Sequence, residues 1–370
     1  MSGRCSWLSL GSLIALGAGV VACSGGERKP ADTAGGAEST AAVAPAPAAA
    51  ASVATGLVYV SDERGNTVTV IDVGTARVVK TINAGQRPRG VRLTPDGKTL
   101  VVAVSGSPIG GPGVDESKLP PPDRSKDGIA LVDLATQSIR RLPGGHDPEN
   151  FDITPDGKFI YVSNEDAGTA SVIDIATAKI IATVKVGGEP EGVEITPDGG
   201  EAWVTSEEKA TVTVINVATH KAIATINVGK RPRSVVFSPD GSKAYVPAEV
   251  GGTVTVVDVK AHKVLKTLDI AATSPGAKPM GSAISPDGRF VYITNGRGGT
   301  VSVIETTTDS VVATIKDPER PWGIAVSPDG KRIYTANGPS DNIAVIDAAS
   351  NTVISTIPAG GSPWGVALSR

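Results

Sequence analysis

Hydrophobic and polar residues alternate along this chain in short runs, and the runs recur. In the stretch from Arg289 to Gly330, four β-rich segments, VYIT, TVSVIE, VVATI and GIAVS, are separated by NGRGG, TTTDS, DPERP and SPDG. Alternation with period two and enrichment in Val, Ile, Thr and Tyr predict strands, because β-branched side chains suit a pleated surface and crowd a helix. No stretch beyond the N-terminal leader sustains a 3.6-residue apolar period. Pro-Asp-Gly predicts a tight turn, with proline presetting φ and glycine taking the left-handed position.

That turn serves as a ruler. Pro-Asp-Gly occurs at Pro95, Pro155, Pro197, Pro239, Pro286 and Pro328, at spacings of 60, 42, 42, 47 and 42 residues. The period is 42, with 18 additional residues in one repeat and 5 in another. All five tyrosines, Tyr59, Tyr161, Tyr245, Tyr292 and Tyr334, fall on one repeat position, which Val101 and Trp203 occupy in two further copies. The repeat number is therefore seven. Four antiparallel strands per unit, A (GIAVS), B (VYIT), C (TVSVI) and D (VVATI), repeated seven times, predict an all-β, seven-bladed β-propeller. The repeats begin at Leu57 on a B strand and end on GVALS, Gly365 to Ser369, an A strand. One blade should thus combine the C-terminal A strand with the N-terminal B, C and D strands, which leaves no open sheet edge at the ring seam.

The segments outside the repeats read differently. Residues 1–22 have a short polar start with Arg4 and an apolar run of 16 residues from Trp7 to Ala22. A membrane span needs ~20, so this reads as a secretory signal segment. Val20-Val21-Ala22-Cys23 resembles a bacterial lipobox, which implies acylation of Cys23 and cleavage before it; Ser24 favours the outer membrane by resemblance to the Gram-negative sorting pattern. An ordinary signal peptide with an incidental cysteine is the alternative. Residues 23–55 are rich in Ala and Pro and cannot bury a core, so they are expected to form a tether. Residues 56–370 form the propeller. With Cys5 removed and Cys23 lipidated, no cysteine is left for disulfide or thiol chemistry.

The formal charge of −3 argues against a general polyanion-binding surface. The 18 additional residues lie in a B-to-C loop of blade 2, from Ser105 to Gly128 (105–128), which is either functional or merely tolerated. Antiparallel geometry puts the stereotyped Pro-Asp-Gly turns on one face and the variable B-to-C and D-to-A loops on the other, where function is to be sought.

On that variable face each D-to-A entry carries a form of x-Pro-x-Gly: Ser362-Pro-Trp364 in blade 1, then Arg87-Pro-Arg89, Asp147-Pro-Glu149, Glu189-Pro-Glu191, Arg231-Pro-Arg233, Lys278-Pro-Met280 and Arg320-Pro-Trp322 in blade 7. Just beyond the tyrosine position, Glu63, Glu165, Glu207 and Glu249 recur, while blades 6 and 7 have Gly296 and Gly338. The mouth is expected to be asymmetric, with an acidic arc, flanking arginines and a tryptophan-bearing sector. Either the charges form an interblade ion-pair ring that only fixes the channel, or they join the aromatic walls in holding a ligand. Three specific chemistries stay open. Clustered carboxylates could hold Ca²⁺, though no Asp-rich loop of suitable spacing is present. His146 with Glu149 could serve lactone hydrolysis as general base. Tryptophans with arginines could clamp single-stranded nucleic acid, which the acidic arc opposes.

The motifs YVSN (Tyr161 to Asn164), YITN (Tyr292 to Asn295), TVTVID (Thr67 to Asp72), VVATI and SPDG resemble the YVTN β-propeller repeat family over residues 57–370. The series RPRG, DPEN, EPEG, RPRS, PWG, PWG further resembles the periplasmic YncE-like group, near the branch associated with pyrroloquinoline-quinone-dependent catabolism. That resemblance implies export and an accessory or ligand-binding role, with a quinone cofactor or single-stranded DNA as candidate ligands; the long loop and the lipoprotein leader depart from the branch. Repeat motifs specify a fold better than an activity. The expectation is a lipid-anchored envelope propeller that binds a small ligand or an envelope protein at its channel mouth without catalysis, touching the membrane through its anchor alone and requiring no cofactor or metal. Arg87, Arg89, Arg231, Arg233 and Arg320 would hold anionic groups. Asp147, Glu149, Glu189 and Glu191 would orient them, and Trp322 and Trp364 would supply apolar contact. A lactonase-like hydrolase and an adhesion or scaffold propeller are the alternatives.

Overall fold

The computed structural model describes residues 56–110, 114–317 and 319–369. The expected signal segment, the acylated Cys23 and the tether lie outside them. Among the described residues no helix is long and apolar enough to cross a membrane.

The described chain folds into seven four-stranded antiparallel sheets, each with its strands in the order A-B-C-D from the axis outward. Blade 1 is assembled from both ends of the repeat region: Pro363–Leu368 is its A strand and Leu57–Asp62, Thr67–Asp72 and Arg77–Ile82 are its B, C and D strands. Val58 lies opposite Leu368 and Tyr59 opposite Ala367, so the ring closes as the alternation of residues requires.

Strands B and C are buried on both faces because each blade packs on two neighbours; the D strands, such as Lys179–Lys185, are mostly exposed. The apolar side chains gather in seven clusters, one at each blade-to-blade junction, including the seam, where Val58 and Val60 meet Tyr334 and Ile343. Every tyrosine of the repeat position is buried in such a junction. Its hydroxyl can reach the C-to-D turn of the next blade: Tyr161 meets His220 Nδ1 at 2.7 Å and Tyr245 donates to Asp309 at 2.7 Å.

The Pro-Asp-Gly turns take the expected form. In the first of them Thr94 Oγ1 donates to Asp96 Oδ1 (2.6 Å), the Gly97 amide donates to the Thr94 carbonyl (2.8 Å), and Gly97 has φ +69°. The 5 additional residues fall beside a single helical turn, Ile270–Thr273, whose N-terminal amide at Ala272 is capped by Asp269 (3.0 Å). The proline of x-Pro-x-Gly opens the A strand in blades 1–4, but in blades 5–7 the ladder begins later, at Val236, Ser282 and Ile324. In blades 6 and 7 the Met280 and Trp322 side chains lie over Gly296 and Gly338, and the backbone there follows a different path.

Candidate functional site at the channel mouth

The D-to-A entries converge around the axis because each must turn from the outermost strand to the innermost. Five of the seven residues before the proline, Ser362, Arg87, Asp147, Glu189 and Arg231, have left-handed φ between +44° and +60°. That conformation is costly for a side chain ahead of proline. Lys278 and Arg320 are not among them.

The charges fall into two clusters. In the first, Arg87 Nε lies 3.1 Å from Glu63, Nη1 2.9 Å from Asp147 and Nη2 3.7 Å from Glu149. Arg89 shares Glu63 (2.8 Å), pairs with Glu149 and approaches Glu165 (3.6 Å). In the second, Arg233 lies 3.1 Å from Glu191, pairs with Glu207 and sits 3.9 Å from Glu249, while Arg231 pairs with Glu207 and lies 3.5 Å from Glu249. Glu189 stands beside this cluster on the same entry. Seven carboxylates therefore share four guanidiniums. The four arginines are matched within the protein and are not presented as an anion clamp.

Burial and this imbalance set the acidities. Burial pushes Glu191 up to about 7 against the pull of Arg233, and burial also raises Glu189. Glu63 goes the other way: burial is outweighed by Arg89 and Arg87, which hold its carboxyl below the usual range. Burial acts against the charge of Arg87 and Arg233, yet their carboxylate neighbours raise both.

The long loop explains why the first cluster is the more buried. Asp127 accepts from the Gly106 amide (2.8 Å) and the Asp147 amide (3.1 Å), and Arg124 pairs with Asp127 (3.2 Å) and with Asp166 of blade 3. The loop is thereby pinned over blades 2 and 3. Glu149 and Asp147 are almost fully covered, whereas the Arg231 side chain of blade 5 is 44% exposed. Asp147, Glu149 and Glu165 place oxygens within 4.8 Å of one another, a spacing a cation could bridge, but Arg87 and Arg89 already lie among these carboxylates and offset part of their charge. His146 is exposed and makes no hydrogen bond to Glu149 among the described residues, so the two are not assembled as an acid-base pair.

Blades 6, 7 and 1 supply the apolar sector. A Cβ on Gly338 would lie 2.4 Å from the Trp322 ring and one on Gly296 2.8 Å from Met280 Sδ, so these glycines make room for the two side chains. Trp364 sits under Arg89 (5.7 Å to the ring centroid) and Trp322 under Arg320 (5.6 Å). Both tryptophans and Met280 line a central channel cavity of about 690 Å³, which reaches the Pro-Asp-Gly face at Thr94 and Pro95.

Deeper in that channel is a feature the motif reading missed. One A-strand position, opposite the tyrosine position of each blade, holds Arg92, Asp152 and Glu194 in blades 2–4 and Val236, Ala283, Ala325 and Ala367 in blades 5, 6, 7 and 1. Arg92 lies 3.5 Å from Asp152, pairs with Glu194 and donates to the Phe151 carbonyl at 3.0 Å. Burial pushes Glu194 up to about 7, with Arg92 opposing. The signal was present in the sequence as a charge three residues before Pro95, Pro155 and Pro197, where the other repeats carry Val or Ala.

A family model described as "Lactonase, 7-bladed beta-propeller" matches residues 187–354. The chain is a β-propeller repeat protein. The matched residues run from blade 4's entry loop into the D strand of blade 7, under half of the chain. Antigen Lp49 of Leptospira interrogans is 29% identical to this chain over 113 residues, which are 29% of this chain and 23% of that protein, so the similarity spans about a quarter of the relative's length. Among solved structures, Kuenenia stuttgartiensis hydrazine synthase superposes with a TM-score of 0.65 at 23% identity, covering 76% of this chain and 89% of the other. A functionally unknown protein from Desulfotomaculum acetoxidans superposes at 0.70 with 16% identity, covering 85% and 99%. At these identities the likeness concerns the fold of the propeller.

Proposed function

We propose that this propeller is a non-catalytic binding protein of the cell envelope that takes a small ligand into the mouth of its channel. The observation that carries the reading is the two-sided channel wall. Seven copies of one A-strand position need no charge to build a blade, yet three adjacent blades place Arg92, Asp152 and Glu194 there while the facing blades keep alanine and valine. Small side chains leave space and fixed charges give orientation, in a cavity of the size small molecules occupy. Acylation at Cys23 would tether the propeller to the membrane through the chain that enters at Gly56, on the face opposite the mouth.

A thermal-shift panel of quinone cofactors, small lactones, Ca²⁺ and single-stranded oligonucleotides tests the reading. A ligand at 100 times its Kd adds ~2.7 kcal/mol of stability. One class should raise the midpoint, and Ala325→Phe, which fills the apolar side of the channel, should abolish the shift. A shift that survives Ala325→Phe places the ligand elsewhere and refutes the proposal. Lactone hydrolysis is a second reading, suggested by the description of the family model over residues 187–354, a stretch that contains neither His146 nor Glu149. It would need His146 or Glu149 as base, and lactone turnover lost in His146→Ala would establish it.

A further inference from the structure

We infer that the rim of blades 6 and 7 is a binding site for a single carboxylate on an apolar or aromatic body, with Arg320 as its anchor. The inference rests on the reading of the mouth as a ligand site and names the ligand's chemistry. Arg320 belongs to the same repeat position as Arg87 and Arg231. Arg87 is met by Glu63 of the preceding blade, and Arg231 by Glu207 of the preceding blade and Glu249 of its own. For Arg320 the corresponding residues are Gly296 and Gly338. Both carboxylates that would neutralise it are missing, and apolar Met280 and Trp322 fill the space they would have taken.

The result is a guanidinium in search of an acceptor. Among the described residues Arg320 has no ion pair, its Nε is buried without a hydrogen bond, and the Nε1–H of Trp322, over which Arg320 is stacked, is also buried without one. Burial and the charge of nearby Arg297 disfavour the guanidinium as it stands, and Glu249, which makes no ion pair with it, opposes them only in part. Lys278, Arg297 and Arg320 have no carboxylate within 4.0 Å among the described residues, whereas the arginines of the blade 2 and blade 5 entries, Arg87, Arg89, Arg231 and Arg233, each have at least two. A carboxylate is flat and bidentate, matches a guanidinium, and can accept an indole N–H. The ligand body would then lie along Trp322, Met280 and Trp364 into the channel. The surplus carboxylates of blades 3–5 face this rim, so a second negative charge would be repelled.

The test uses the full-length protein labelled with ¹⁵N and follows the indole N–H signals, the Trp322 signal being assigned through Trp322→Phe. Three probes of similar shape are titrated: phenylacetate, neutral 2-phenylethanol and cationic 2-phenylethylammonium. Phenylacetate should move the Trp322 signal and bind at least tenfold more tightly than either control, and Arg320→Met should remove that preference. Arg231→Met, which alters an already matched arginine, should leave it. Equal binding of 2-phenylethanol, or unchanged phenylacetate affinity in Arg320→Met, overturns the carboxylate site while leaving the channel reading intact. If no probe moves the Trp322 or Trp364 signals the carboxylate site also falls, and the channel reading is then decided separately by the Ala325→Phe comparison.

Discussion

Replacing Glu191 by glutamine should stabilise the protein at pH 8. Glu191 is 4% exposed, and its carboxyl, ordinarily near 4.5, is pushed up to about 7 even with Arg233 3.1 Å away. The sign follows from where the proton sits. The unfolded chain ionises this carboxyl near 4.5, whereas the folded chain keeps it protonated until about 7, so the folded state is favoured below 4.5 and loses that advantage as pH rises through 7. At 1.36 kcal/mol for each pH unit of displacement the loss amounts to ~3 kcal/mol at pH 8. Glutamine keeps the shape without the charge, and Arg233 retains Glu207 and Glu249. Thermal unfolding of Glu191→Gln and the parent from pH 4.5 to 8 should give coincident midpoints at the acid end and a growing advantage for the variant, reaching roughly 6 °C at pH 8 by the usual scaling for large domains. A variant less stable than the parent at pH 8 would show that the Arg233 ion pair outweighs burial. The claim of a carboxylate surplus at this mouth would then be refuted.

Two further changes separate the parts of the site. Arg233→Met orphans the buried Glu191 and leaves Glu207 to Arg231 alone, and should cost ~3–5 kcal/mol in urea unfolding, whereas Arg231→Met, at a side chain 44% exposed, should cost less than ~1 kcal/mol; equal costs would mean that burial does not set the value of these pairs. Gly338→Ala drives a methyl into the Trp322 ring and should cost ~1–3 kcal/mol while shifting the Trp322 indole signal; an unchanged signal would show that the glycine is not what seats the ring.

The ring was legible because two independent markers, the Pro-Asp-Gly turn and the tyrosine position, share one period, and both have local causes: left-handed glycines such as Gly97 and a buried interblade side chain such as Tyr161. The rim residues were legible as departures from a repeat, since neither a proline nor a glycine explains why Arg87 or Trp322 flanks it. Their partners were less so. Whether Arg87 is free or matched depends on Glu63 reaching across a blade boundary, a relation between segments 24 residues apart that no local pattern encodes. Arg92, Asp152 and Glu194 were hidden for the opposite reason, because they sit inside strands whose neighbours fit the repeat. Gly296 and Gly338 could be read as replacements for glutamate, but the fact that Met280 and Trp322 occupy the vacated space required coordinates.

The seam in blade 1 also dictates an order of events. Its A strand comes far later in the chain than its other three strands, and its register with Leu57–Asp62 joins residues some 300 positions apart, with the Leu57 amide bonded to Ser369 Oγ at 2.7 Å. Closing so large a loop is the slowest kind of contact for a chain to make. Trp364, one wall of the mouth, arrives on that same strand, and the Ser61 hydroxyl bonds across the seam to the Gly365 amide at 2.9 Å. A chain that has stacked its other blades without pairing this strand therefore has an incomplete mouth, so closing the ring and assembling the mouth are one event.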